Sequence, residues 1–387
     1  MNYPKNRTSI FFSQIAKVQY ILGLPYLWLD KKPTYMETFN KLMTVIFISF
    51  TLLEVLSFLT QTELSNKQAS DQLLFSFSHP IAITYIISVV YYKDEIRNLL
   101  FKLSVTMKAK YNNLEIEMQM IRKAKLYATA YVFSLYAALI LYAFDGIVQV
   151  YTADNGTFTT VITAWPKVTD KSAAANTARI VIYVVWCAFV IRISAVYVFA
   201  ITLTITLSHQ YKNLQSYFYK LKEIFEDNQC NLNKEKQFEE RLKIGISLHS
   251  ETLWCVNETQ RICFFIFSGQ ILMNVFVISV LMIQMNSERT VMNIMATLST
   301  SVAMLSTTGF FMCNAGDITV EASLLPTAIF NSGWQYTGGK ATVRVRRLLV
   351  VAITLAQVSP GIRLLSCGAN VESGGRIGSN HSLYSHN

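Results

Sequence analysis

The chain has 387 residues, of which 52% are apolar, 13% aromatic and only 15% charged, and its formal net charge is +10. Soluble domains usually carry about 25% charged residues, and here the apolar residues run in long blocks with the charges gathered between them. That distribution excludes a disordered chain, which needs low hydrophobicity, and cysteine is too sparse for a disulfide scaffold, with six in the whole chain.

In chain order, residues 1–41 hold Pro4, Lys5, Arg7, Lys17, Asp30, Lys31 and Lys32 and no clean apolar core, so no signal peptide is expected. Phe11, Phe12, Ile15, Val18 and Leu22 recur there at helical spacing, which predicts an amphipathic helix along the membrane face. A hydrocarbon core of about 30 Å needs about 20 helical residues. Six segments qualify: residues 42–59, with Glu54; 73–92, with His79 and Pro80; 126–150, with Asp145; 180–207, with Arg192; 262–285; and 291–313. A seventh apolar run, residues 348–358, is too short to span and suits a buried or interfacial helix. The fold class expected is an all-α polytopic membrane protein with six complete transmembrane helices.

The basic residues set the orientation, because Lys and Arg collect in cytoplasmic loops. Residues 1–41 carry six, 93–125 eight, 209–261 eight and the tail from Asn314 six. The opposite side has only Lys67, Lys167, Lys171, Arg179 and Arg289. The N-terminus is therefore expected in the cytoplasm, with 209–261 a large basic inner loop and 314–360 cytoplasmic. Asn155-Gly156-Thr157 then lies outside and is a candidate for glycosylation at Asn155, while the sequons at Asn6, Asn257 and Asn380 lie inside and should stay bare. The positive charge flanks the spans, so no nucleic-acid partner is implied.

Catalytic and metal chemistry find no support. Gly338-Gly339-Lys340 resembles a phosphate loop but is followed by Ala341, and Trp334 stands where the first glycine is needed. There is no H-E-x-x-H and no G-x-S-x-G. His249, Cys255 and Cys263 lack zinc-site spacing, so neither a metal nor a cofactor is expected. No cysteine falls in an outer loop, so no disulfide is expected.

Ionisable residues within spans are costly and often functional. Glu54, Asp145 and Arg192 either form structural ion pairs between helices or face a ligand cavity or ion path. The hydroxyls of the sixth span, Ser299 and Thr300 among them, suit helix contacts or a cavity. Aromatics gather in the outer halves of spans: Phe75 and Phe77, Tyr142 and Phe144, Tyr183 and Trp186. Small-molecule pockets have this composition, and so do interfacial aromatic belts. From span geometry, the residues expected to line a pocket are His79, Tyr142, Phe144, Tyr183, Trp186, Met295 and Ser299.

The C-terminal third carries Cys313-Asn314-Ala315-Gly316-Asp317-Ile318, then Glu321, Ser323, Ala328-Ile329-Phe330-Asn331-Ser332-Gly333-Trp334, Tyr336, Arg344, Arg346-Arg347-Leu348-Leu349 and Ala356-Gln357. With Gly23-Leu24-Pro25 near the start and the basic inner loop, the chain over residues 10–365 resembles the insect odorant receptors. The resemblance implies a ligand-gated, non-selective cation channel in the cell membrane of sensory neurons, built as a hetero-tetramer with an odorant coreceptor subunit. It implies a small volatile organic ligand held among the second, third, fourth and sixth spans, and contact with membrane lipid. The short inner loop fits the ligand-tuning subunit. Trp334, Tyr336, Arg344, Arg346, Arg347 and Gln357 would belong to the cytoplasmic anchor through which subunits meet. The sequence departs from the family after Gln357: residues 361–387 are polar, with no apolar run long enough for the family's seventh span, which is missing or replaced. A gustatory receptor of similar topology, a G-protein coupled receptor and a secondary transporter are the competing readings; the charge bias opposes the second, and no internal repeat supports the third.

Overall fold

The computed structural model describes residues 5–28, 35–152, 158, 161–225, 232–287, 291–338 and 341–357. Among the described residues every regular element is helical. The order is α1 (Arg7–Ile21), α2 (Tyr35–Thr60), α3 (Asn66–Tyr91), α4 (Lys93–Phe101), a widened turn (Lys102–Thr106), α5 (Met107–Lys110), α6 (Leu114–Thr152), α7 (Ala173–Lys220), a tight helical turn (Leu221–Phe225), α8 (Leu232–Ser287), α9 (Val291–Phe330), a second tight turn (Trp334–Tyr336) and α10 (Ala341–Gln357). Six of these, α2, α3, α6, α7, α8 and α9, are long and apolar enough to cross a membrane. Asn155 and the tail beyond Gln357 lie outside the described residues.

Local chemistry starts the helices. Ser65 caps α3 by accepting from the Gln68 amide at 3.2 Å, and the Gln68 side chain accepts from the Ser65 amide at 3.0 Å. Asn6 and Ser9 close the same reciprocal box at α1. The Ser172 hydroxyl accepts from the Ala175 amide to begin α7.

α7 is the axis of the bundle, packed by α3, α6, α8 and α9. In its most apolar stretch 61% of residues are buried, against 28% for α2, which lies at the periphery. At about 1.5 Å per residue, the 48 residues of α7 and the 56 of α8 are each more than twice as long as a bilayer core is thick. The stretch 209–261 is thus largely helix: the end of α7 and the start of α8 project as an antiparallel pair and join the end of α9 and α10. Hydropathy detects what lipid tolerates, whereas helix continuity follows backbone propensity. The Lys, Glu, Gln and Leu of this stretch favour helix as well as any apolar residue.

α1 packs on α6 and α7 through Phe11, Phe12, Ala16, Gln19 and Tyr20, while Val18 is more than half exposed. Polar anchors set this rotation. Gln19 donates to the Ala195 carbonyl at 3.1 Å, and the Thr8 amide and hydroxyl both donate to Glu117 at 2.8 and 2.7 Å. At the opposite end of the bundle, Gln61 donates to the carbonyls of Thr163 and Pro166 and accepts from the Val168 amide, and Arg179 donates to the carbonyls of Lys167 and Asp170. The α6–α7 connection is thereby strapped over the end of α2.

Close packing of α7 on α8 depends on Gly245. A Cβ there would lie 2.7 Å from the ring of Phe218, which is fully buried. Gly245→Ala should cost about 1–3 kcal/mol by overpacking and lower the thermal midpoint of the detergent-solubilised protein, measured by fluorescence-detected size exclusion. Gly309→Ala, inside α9 where a Cβ would meet nothing within 4 Å, should not lower the midpoint and should raise it slightly, because alanine favours helix over glycine by about 0.5–1 kcal/mol.

Candidate ligand-binding site

A cavity opens inside the bundle, between α3, α6, α7, α8 and α9. About 830 Å³ of space lies between its lining atoms, part of it continuous with the outside. Its wall is mostly apolar: Leu74, Phe75, Ala82, Leu135, Ala138 and Leu139, with Val190, Ile193, Met273, Val277, Ala303 and Met304. The polar groups are few: Ser78, His79, Tyr131, Tyr142, Trp186, Tyr197, Thr300 and Thr307.

An aromatic cluster forms one wall. Phe75 stacks on His79 with centroids 5.2 Å apart, and Trp186 meets Phe75 edge-on at 5.4 Å and Tyr142 at 5.8 Å. Helical spacing brings these together: Phe75 and His79 are four residues apart on α3, so they share a face.

Behind this wall runs a buried polar chain. Trp186 Nε1–H donates to His79 Nε2 at 3.2 Å. Because Nε2 accepts, the ring proton sits on Nδ1 and is donated to the Glu54 carboxylate at 2.7 and 2.8 Å. The Glu54 side chain is fully buried. Its backbone carbonyl accepts from Ser57 and Ser76, and Gln72 donates to Ser57 at 2.8 Å. The chain joins α2, α3 and α7 and fixes the orientation of Trp186 at the cavity surface. A second pair, Lys67 with Asp145, ties the start of α3 to α6.

Of the seven residues expected to line a pocket, the structure brings His79, Tyr142 and Trp186 to this cavity. Tyr183 stands one turn from Trp186 and packs on it at 5.6 Å without lining the cavity. Phe144 and Met295 point outward, about half exposed, and Ser299 is half-buried beside Thr300, which does line the wall. Placing residues by their depth in a span gives the level on the helix but not the rotation. Missed lining residues such as Leu135, Ala138, Met273 and Ala303 are ordinary apolar or small side chains with no chemical signal. Asp145 forms a helix-linking ion pair with Lys67, and Glu54 is joined to α3 by the hydrogen bond from the neutral His79 ring. Arg192 pairs with neither acid; its nearest aromatic partner is Phe47, 5.6 Å from the guanidinium. Among the described residues no cluster of His, Cys, Asp and Glu could hold a metal ion.

The anchor residues gather at the other end. Arg346 lies over the Trp334 ring at 5.9 Å and Arg344 is 3.5 Å from Glu239, while Tyr336, Arg347 and Gln357 are exposed.

Removing His79 alone would strand the Glu54 carboxylate in the core, which typically costs about 3–5 kcal/mol. His79→Phe should therefore lose more thermal stability in detergent than the double variant Glu54→Gln/His79→Phe. Equal losses would show that the pair does not act as a unit.

The profile described as 7tm Odorant receptor matches residues 65–366. No curated protein matches the chain. Among solved structures, the insect olfactory receptor OR5 from Machilis hrabei has the same fold, at 12% sequence identity with a TM-score of 0.65, covering 90% of this chain and 89% of that one. The structure of OR5 in complex with eugenol aligns over the same shares at 12% identity with a TM-score of 0.66. The family match spans most of the sequence, and the chain belongs to the 7tm odorant receptor family of multi-pass membrane proteins.

Proposed function

We propose that this chain is the ligand-tuning subunit of an odorant-gated, non-selective cation channel that assembles with a coreceptor subunit in the cell membrane of sensory neurons. The observation that carries this reading is the aromatic-walled cavity within the spans. Family membership supports the receptor role, and OR5 of Machilis hrabei has been solved with eugenol bound. The cavity suits a small, largely apolar volatile with one or two polar atoms, because its polar groups are few and most already serve the protein. Trp186 bonds His79, and the hydroxyls of Thr300 and Thr307 donate to Ala296 and Ala303 of their own helix.

The bias of basic residues supports an N-terminus in the cytoplasm. The projecting ends of α7, α8 and α9, with α10, then form a cytoplasmic anchor. α10 buries Val345, Leu349, Ala352 and Ala356 against α8 and α9 and leaves Val343, Val350, Val351 and Leu355 exposed. That outer face, with Arg344, Arg346, Arg347 and Gln357, is available for neighbouring subunits. Gating requires the ligand to bind the open arrangement more tightly than the closed one, since equal affinity shifts no population.

Co-expression with a coreceptor and current recording across an odorant panel tests this reading. Ala303→Leu, which fills the cavity from α9, should reduce ligand potency about tenfold or more, matching an overpacking cost of about 1–3 kcal/mol. Phe144→Leu and Met295→Leu, on outward faces, should leave potency unchanged. Potency losses from the outward variants with none from Ala303→Leu would place the ligand elsewhere.

A further inference from the structure

A second cavity lies at the α1 end of the bundle, where α2 begins, α3 ends and α4 starts. About 650 Å³ of space lies between its lining atoms, part of it open to the outside, and it is lined by four cationic side chains, Lys41, Lys93, Arg97 and Arg192, against one acid, Glu37. Its floor is Arg192, which is only 2% exposed, and neither Nε nor Nη1 of its guanidinium has a hydrogen-bond partner. Phe47 covers the guanidinium at 5.6 Å, a weak substitute for an anion.

The other cations are not equally committed. Arg97 donates to the Tyr26 carbonyl and to Asp94, and Lys41 lies 3.5 Å from Glu37. Lys93 is exposed at the rim and has no ion pair among the described residues. Gly23, at φ +98°, lets the chain after α1 fold over Arg192: a Cβ there would stand 3.3 Å from its side chain.

The depth of this site is defined by the helices. Arg192 lies about 18 Å along α7 from Ile180, where the apolar run of that helix begins, at about 1.5 Å per residue. Lys41 is in the second turn of α2, and Lys93 follows the end of α3. The cavity therefore sits where the spans meet the headgroup layer on the N-terminal side. A buried guanidinium without an anion is costly, and its fork of donors matches a phosphate. Basic pockets between spans at this level suit acidic headgroups.

We propose that this cavity binds the phosphate of an anionic phospholipid from the leaflet on the N-terminal side, with Arg192 as the buried ligand and Lys93 and Lys41 at the rim. The glycerol and acyl chains leave past Val90, which is on the exposed, lipid-facing side of α3. The site is separate from the aromatic cavity and does not depend on what that cavity holds.

The test uses the full chain in phosphatidylcholine nanodiscs doped with fluorescent phosphatidic acid, with energy transfer from the protein reporting local enrichment. Wild type should enrich phosphatidic acid over a fluorescent phosphatidylcholine. Lys41→Gln/Lys93→Gln should weaken this by about fivefold per lysine removed, and Arg192→Gln should weaken it further. The lysine variant changes only exposed side chains, so it remains informative if Arg192→Gln does not fold. Equal enrichment in wild type and the lysine variant would overturn the proposal. Displacement by inorganic phosphate at unchanged ionic strength would also overturn the lipid assignment, identifying a soluble anion as the occupant.

Discussion

A charge or polar group placed among lipid-spanning helices is costly unless it is partnered, and Glu54, Lys67 and Asp71 find their partners within the protein. That constraint organises this molecule. Glu54 meets His79, Lys67 meets Asp145, and Gln284 donates to Asp71 at 3.1 Å. Each contact joins two helices that a dispersion-packed bundle would leave free to slide or rotate, because lipid tails compete equally well for apolar faces. The Glu54–His79–Trp186 chain goes further: it passes from a peripheral helix through α3 to the central one and ends at the wall of the ligand cavity.

The cavity lies beside the most heavily buried helix. α7 contributes Trp186, Val190, Ile193 and Tyr197 to it, at intervals of three or four residues along one face. From Phe199 to Tyr211 every residue of the same helix is buried. One continuous rod therefore runs from the ligand wall to the projecting assembly of α8, α9 and α10.

The C-terminal motif has a physical explanation at the projecting end. Asp317 pairs with Lys123, and Glu321 accepts from Gln215 and lies 3.4 Å from Lys212, so the polar face of α9 binds α6 and α7. At Gly333, with φ +91°, a Cβ would stand 2.9 Å from the backbone of Lys222, so the turn after α9 can press against the turn after α7. Trp334 then packs between Phe330 and Arg346. These residues hold the ends of three helices in register.

The sequence by itself located the six membrane-capable helices found among the described residues and their approximate limits, because a lipid core demands long, largely uncharged helices and hydropathy measures that demand directly. It also carried the family in the stretch from Cys313 to Gln357, whose charged and glycine positions meet α6, α7 and the turn after α7. The tertiary structure alone decided the rest. Whether Tyr142 faces the cavity while Phe144 faces outward depends on helix rotation, and in a span that is apolar all round no periodicity records it. Lys67 reads as a loop cation until α3 is seen to begin at Asn66 and carry it to Asp145. Arg192 reads either as one half of an ion pair or as a group facing a cavity, and only the packing shows that the two acids are claimed elsewhere. Which charges meet is fixed by how six helices pack together, and that information is spread over every contact rather than written in any one segment.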